Sequence, residues 1–448
     1  MNNFQLTSLI TKIKWSSQEL ALIEEGLGLL SDYNAFYDYC FKWKLAPWVY
    51  TQLKNKNLLQ LLPDSTQQLF HKEHTRIEEQ NSKRNHIAQQ VFVKFKEKGI
   101  DVAVLKGNYF LHTVYKDVGY KRMNDFDILI RKEDWNKIQD VYLELGFIPL
   151  GFGWSGEKEK PAQFSHVGMS FISPDYNCIF GSQWGLKSPT TKYEVNIEDV
   201  WKSAVPFEFE GVNILALSPE YNFLHLILHL GIYKCGVRDC MDIYNLLYHE
   251  SLDYEKMYSI LEQANALDKA YFACQMSNSC APAVPKEFIE KIKPQSGYLL
   301  QRTLKRLKIL ELGGDIHASY NDYFQDIEKD VIYFNLFPKF HLKALFYAKI
   351  LRKIFFPNID VVLKLDDQQK GASVLSNVVS FLKAPYYIFS LIAQEIGWKF
   401  TFLLFLKLLI DLVVSLKNYI IPQTSYFDYL KSRDIDPKEI AKAVKNIQ

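Results

Sequence analysis

The stretch "LKGNYFLHTVYKDVGYKRMNDFDILI", Leu105–Ile130, decides how this chain folds. Its last six residues, "DFDILI", alternate and then run apolar, which predicts a strand. Just upstream, "IDVAVLKG" is a short apolar run stopped by a glycine, the pattern of a buried strand. "NYFLHTVY" between them suits two helical turns. Downstream, "RKEDWNKIQDVYLELGF" puts Trp135, Ile138, Val141, Tyr142 and Leu145 on one helical stripe, with Gly146 as its stop. "HVGMSFISPDYNCIFGSQW" predicts two strands about a Ser-Pro-Asp turn. In "KYEVNIEDVW", Tyr193, Val195 and Ile197 alternate with Glu194, Asn196 and Glu198, which predicts another strand. The order is β-α-β-α-β-β-β, a mixed sheet with helices on one side.

The flanks read differently. Residues 1–92 are helical, with Ser16 and Glu19 forming a capping-box pattern before "LALIEEGLGLL". A long polar helix follows and stops at Gly99. After the core, residues 93–212, helices resume over 213–330, where Ser218 caps a helix with Pro219 at its first position. Residues 331–448 hold 16 Lys/Arg against 9 Asp/Glu and form a basic, apolar-rich helical end. The expected fold class is therefore α+β: a small mixed β-sheet core between mainly α-helical N- and C-terminal regions.

Two C-terminal segments raise the question of a membrane. "FTFLLFLKLLIDLVVSL", Phe400–Leu416, is nearly long enough to span, but Lys407 and Asp411 are costly in lipid. With Ser415 they recur every four residues, which predicts a buried helix with one wet edge. "FHLKALFYAKILRKIFFPN" interleaves Lys343, Lys349, Arg352 and Lys353 with apolar residues. A packed helix with a solvated cationic edge is expected there, and peripheral contact with the inner face of a membrane is the alternative.

A net charge of +2 over 448 residues argues against a dedicated nucleic-acid binder. Six cysteines without a CxxC pair fit a reduced, cytoplasmic setting. "MNNFQLTSLITKIKW" lacks the long apolar run of a secretory leader.

The chemistry lies in the opening stretch. Strand period puts Asp125 and Asp127 on one face, where two like charges call for a cation. Mg²⁺ takes carboxylate oxygens and completes its shell with phosphates and water. Two such ions can clamp the attacking and leaving oxygens of phosphoryl or nucleotidyl transfer. A third carboxylate is then expected on a neighbouring strand, and Glu194 is the candidate, with Glu198 or Asp199 as substitutes. Gly107 at a strand-to-helix turn lets phosphate oxygens approach backbone amides. Lys106 supplies a charge to a phosphate, and Lys121 and Arg122 would neutralise a triphosphate.

These residues resemble the polymerase-β-like nucleotidyltransferase superfamily and, within it, the uncharacterised nucleotidyltransferase family. The resemblance is carried by Leu105-Lys106-Gly107, Tyr115, Asp125-Phe126-Asp127-Ile128-Leu129-Ile130 and Gly146-Phe147. Glu194, the Leu217-Ser218-Pro219-Glu220 run leading to Leu224 and His229, and Asp242 extend it over residues 100 to 280. The chain departs where the family has an arginine four residues before the first aspartate; here that residue is Lys121, followed by Arg122. Asn196 stands where the family has a histidine.

The resemblance implies an enzyme with metal ligands Asp125, Asp127 and Glu194, two Mg²⁺ ions and an NTP donor, ATP above all. Lys106, Gly107, Lys121 and Arg122 would bind the triphosphate, and Glu194 would also help deprotonate an acceptor hydroxyl. The acceptor would be a small molecule, a saccharide or a protein. The alternatives are a catalytically inactive binding protein with this fold and a phosphotransferase that uses the γ-phosphate. Separately, His225, His229, Cys235 and Cys240 have a spacing open to zinc, although buried helix histidines serve packing more often.

Overall fold

The computed structural model describes residues 1–150, 165–189, 191–230, 235–314, 327, 330–331, 334, 340–358, 374–420 and 430–447. The expected α+β architecture is present: one mixed sheet in the middle of the chain, flanked by helices.

Helices α1 (Asn3–Ile10), α2 (Ser17–Gly28), α3 (Tyr33–Lys42) and α4 (Ala46–Asn55) lead to α5 (Asp64–Glu97). The Ser16–Glu19 capping box forms as read. Apolar residues recur at helical spacing along the second half of α5, namely Ala88, Val91, Phe92 and Phe95, and all four are buried. That stripe lies across the sheet.

The sheet has seven strands: β1 (Val102–Val104), β2 (Phe126–Ile130), β3 (Ile148–Leu150), β4 (Ser170–Ile172), β5 (Ile179–Gln183), β6 (Val205–Phe209) and β7 (Val212–Ala216). Their order is β3-β4-β5-β2-β1-β7-β6. β2 is central, antiparallel to β1 and parallel to β5. Between β1 and β2 stand α6 (Lys106–Phe110) and a π-helical turn, Leu111–Tyr115. The rings of Phe126, Phe180 and Phe209 meet Phe92 of α5 edge-on, with centroids 5.6, 6.5 and 5.3 Å away. α7 (Trp135–Glu144) covers the same face, its Tyr142 ring 5.6 Å from Phe180. Strand alternation then turns Asp127 and Gly181 to the opposite face.

Two strand expectations change. "KYEVNIEDVW" is not a strand: residues 193–196 are an irregular approach to α8 (Ile197–Lys202). The Asn196 side chain accepts from the Glu198 amide as the helix cap. The last two strands are instead the hairpin β6–β7, turned by Glu210 and Gly211, both at positive φ.

Beyond the sheet come α9 (Pro219–His229), α10 (Val237–His249), α11 (Tyr254–Gln263), α12 (Leu267–Cys280), α13 (Lys286–Lys291) and α14 (Tyr298–Glu311). Then follow α15 (Phe340–Phe355), α16 (Val374–Ile396), α17 (Trp398–Ile420) and α18 (Pro437–Ile447). Among the described residues no helix is long and apolar enough to cross a membrane. α15 packs as expected: Ile350 and Ile354 are buried with Ile388 and Leu408, while Lys349 and Arg352 face out.

α17 reverses its reading. The seam that packs inward contains Thr401 and Ser415, with Lys407 and Asp411 half-buried, whereas Phe402, Ile410 and Val413 are exposed. The neighbouring helices cover this seam together with Leu408, Phe405 and Leu412, and the edge that faces out is apolar as well.

Candidate active site

The loop before β2 is fixed from below by a polar row on α5. Asn81 donates from Nδ2 to the carbonyls of Val118 at 2.6 Å and Lys121 at 2.8 Å. Arg84 donates to Asn81 Oδ1 at 3.1 Å, to the Met123 carbonyl and to the Asn177 carbonyl at 3.2 Å. These buried side chains satisfy turn carbonyls that no strand partner reaches. On the far side, Tyr115 and Tyr120 stack with centroids 4.3 Å apart, and Trp48 packs 5.1 Å from the former. Asp125 and Asp127 are delivered from this rigid frame.

Asp127 lies on β2, and Asp125 directly precedes the strand. The Lys106 ammonium is 2.8 Å from Asp127 Oδ2, so the first lysine of the opening stretch reaches the second aspartate. Lys106 itself holds a left-handed conformation, φ 49°. Asp125 is exposed to water, although protein packs closely around its carboxyl. That surrounding mass, and then the Asp127 charge, push its carboxyl up to about 6, with Lys106 and Arg84 opposing. Because the carboxyl is wet, repulsion from Asp127 is the cause that the geometry supports directly.

The strand beside Asp127 is β5, and its residue in register is Gly181. A Cβ there would stand 2.5 Å from Asp127 Oδ1. Only glycine leaves room for the aspartate in this rotamer. Gly107 is less constrained, since a Cβ would meet only the mobile end of Met123, at 2.4 Å.

Three site expectations are corrected. Glu194 is on no strand; it is exposed in the approach to α8, and its amide donates to the Ala264 carbonyl at 3.1 Å. Glu198 and Asp199 belong to the first turn of α8, paired with Arg131 and Lys202. Among the described residues no three of His, Cys, Asp and Glu come together as a metal-holding group. Lys121 is buried and its ammonium is paired with Asp242, which also accepts from Tyr115 Oη at 2.8 Å. Arg122 lines a separate pocket of about 190 Å³ with Lys44 and Glu73. The basic pair thus serves the frame and a different surface.

A cleft of about 700 Å³, within the ~300–1,000 Å³ range of small-molecule sites, lies along the approach to α8 and beside α9. Lys132, Lys187, Trp184, Tyr221 and Glu194 line it, as does His166. Burial, then Lys187 and Lys106, push the His166 imidazole down to about 4, with Asp127 opposing. His166 therefore links the cleft electrostatically to Lys106 and Asp127.

Among the described residues, His225, His229, Cys235 and Cys240 do not come together as a metal-holding group. His225 and His229 meet edge-on with centroids 4.5 Å apart, and Cys235 Sγ lies 3.6 Å from Cys240 Sγ. His225 is buried, and desolvation, then Lys106, push its imidazole well below the usual range.

The sequence reading missed Arg84, Asn81 and the Gly181 register. The first two had a signal, since they precede the apolar stripe of α5 on the same helical face. The third had none, because strand partners are not written locally.

The profile of the family described as "Uncharacterised nucleotidyltransferase" matches residues 30–282. The chain belongs to that family, and its general class is nucleotidyltransferase. Searches of curated proteins and of solved structures returned no match.

Proposed function

We propose that the chain transfers a nucleoside monophosphate from an NTP, with ATP as the expected donor, to a hydroxyl of a small molecule, a saccharide or a protein. The observation that carries this reading is the Asp125–Asp127 pair beside Lys106 at the start of the central strand. Two adjacent carboxylates, one raised by the other, are hard oxygen donors that fit a divalent cation. Asp125 and Asp127 would hold Mg²⁺, which when bound supplies charge neutralisation on the triphosphate and polarises the phosphorus. The pair accounts for one protein-held ion, so the reading no longer needs Glu194 as a ligand.

Lys106, relieved of Asp127 by the cation, turns its charge to phosphate oxygens. Lys187, on the cleft wall, adds a second positive charge. The acceptor oxygen attacks the α-phosphorus in line, and pyrophosphate leaves. Glu194, exposed in the cleft, is the carboxylate left to take the acceptor proton. Most of the acceleration in this scheme is positioning and charge stabilisation.

Gly181 favours a second reading. With glycine in register with Asp127, β5 contributes no carboxylate there. A chain that binds a nucleotide without turning it over would need only the residues that are present.

Incubation with Mg²⁺ and α- or γ-labelled ATP, across a panel of hydroxyl acceptors, separates these readings. Label transferred from the α position, and lost in Asp125→Asn and Asp127→Asn, is the expected result. Transfer from the γ position makes the protein a phosphotransferase. Metal-dependent binding without transfer leaves the second reading, and absence of both overturns the site.

A further inference from the structure

Helices α16 and α17 are apolar on both sides: Ile388 and Leu408 are buried with Phe389, Ile392, Phe405 and Leu412 packed against them, and a second apolar stripe faces out. In α16, Ser380, Ala384 and Ile388 are fully buried, while Leu375, Leu382 and Tyr386 are 75, 73 and 64% exposed. In α17, Thr401, Leu408 and Ser415 face inward at spacings of seven, and Phe402, Ile410 and Val413 are 69, 52 and 58% exposed. Gly397, at φ 91°, reverses the chain between them. Tyr386 stacks on Trp398 across that corner, with centroids 6.4 Å apart, so the two outward stripes are continuous. The stripe on α17 alone runs from Trp398 to Ile420, roughly 33 Å at the α-helical rise.

Small and hydroxyl-bearing residues at the helix contact, with large apolar residues also turned outward, is how helices pack when their surroundings are lipid. In water the outward stripe is polar. Among the described residues of these two helices, the exposed charged side chains are Lys383, Lys399 and Lys417, all cationic. Tyr386, Trp398 and Tyr419 add the aromatic residues favoured at headgroup depth. We propose that the outward face of α16 and α17 seats the protein on an anionic bilayer, inserted in one leaflet without crossing it. A second copy of the chain fits less well, because face-to-face docking would bring lysines against lysines, and among the described residues neither stripe exposes an acidic partner. Anionic headgroups remove that repulsion. The proposal stands on this surface alone and is independent of nucleotide turnover.

The test is co-sedimentation of the full-length chain with vesicles of phosphatidylcholine and phosphatidylglycerol in equal parts, and with phosphatidylcholine alone. Strong partition onto the mixed vesicles, weakened by salt, is expected. The double variant Phe402→Glu/Ile410→Glu should lose at least about tenfold in partition from the removal of two inserted apolar side chains. Its circular dichroism should stay unchanged, since both positions are exposed. Lys383→Ser/Lys399→Ser/Lys417→Ser should abolish the preference for the mixed vesicles. Failure to sediment with either vesicle overturns the proposal, as does equal partition of the apolar variant. Equal binding of the wild-type chain to both vesicles removes its anionic half. Concentration-dependent dimers that the same substitutions dissolve would assign the face to a second copy.

Discussion

The sheet core and the α16–α17 hairpin both bury apolar residues but expose opposite things. In the core, Phe92, Phe126, Phe180 and Phe209 meet in the interior and the charges of Lys106 and Asp127 collect at a rim. In the hairpin, Ser380, Thr401 and Ser415 are inside beside Ile388 and Leu408, and phenylalanine, isoleucine and valine are also outside. Both segments are rich in apolar residues, so composition does not separate them. What separates them is the direction of the stripe relative to the neighbouring elements. The core's apolar face is what folds it. The hairpin's outward residues Phe402, Ile410 and Val413 are exposed, so that face is available for something outside the chain.

The sharpest way to break this contrast is to make one substitution in both places. Phe180→Ala removes a ring that is fully buried and stacked 5.2 Å from Phe126, and should destabilise by about 3–5 kcal/mol. Phe402→Ala, in the hairpin, should stay within about 0.5 kcal/mol of wild type in detergent-free buffer. Urea denaturation midpoints read both, and equal losses would end the comparison.

Polar burial sharpens it next. Lys121→Met strands the Asp242 carboxylate and should cost roughly 3–5 kcal/mol, with most of that recovered in Lys121→Met/Asp242→Leu. Were Lys121 a triphosphate ligand instead, the single variant would leave thermal stability intact and lose nucleotide affinity.

A smaller effect is expected at Gly181. Gly181→Ala must displace the Asp127 carboxylate, and should weaken Mg²⁺-dependent nucleotide binding on the order of tenfold while the fold holds. Calorimetric titration with a nucleotide analogue measures this, and unchanged affinity would place the cation away from Asp127.

Much of the centre of the molecule is legible in the sequence, because its signals are local. The "DFDILI" strand, the Trp135 helix ended by Gly146 and the Ser16–Glu19 cap each follow from spacing within a few residues. The Lys106–Asp127 proximity follows from a strand, a short helical turn and a returning antiparallel strand. Glu194 was misread because three alternations suit a strand and equally suit a loop entering a helix. Asn196 was the clue, a good N-cap immediately before Ile197. The pairing of Lys121 with Asp242 spans 121 positions, and the Gly181 register depends on strand order. Neither is written in a window of sequence. For α17, the polar stripe of Lys407, Asp411 and Ser415 was visible, but not that neighbouring helices would cover it.

The central claim is that Asp125 and Asp127 bind a nucleotide through a divalent cation. Its most direct test is equilibrium binding of the non-transferable α,β-methylene analogue of ATP, with and without Mg²⁺, to wild type and to Asp125→Asn/Asp127→Asn. Binding should require Mg²⁺ and fall by on the order of 10–100-fold or more in the double variant. Equal affinity without Mg²⁺, or in the double variant, would contradict the claim.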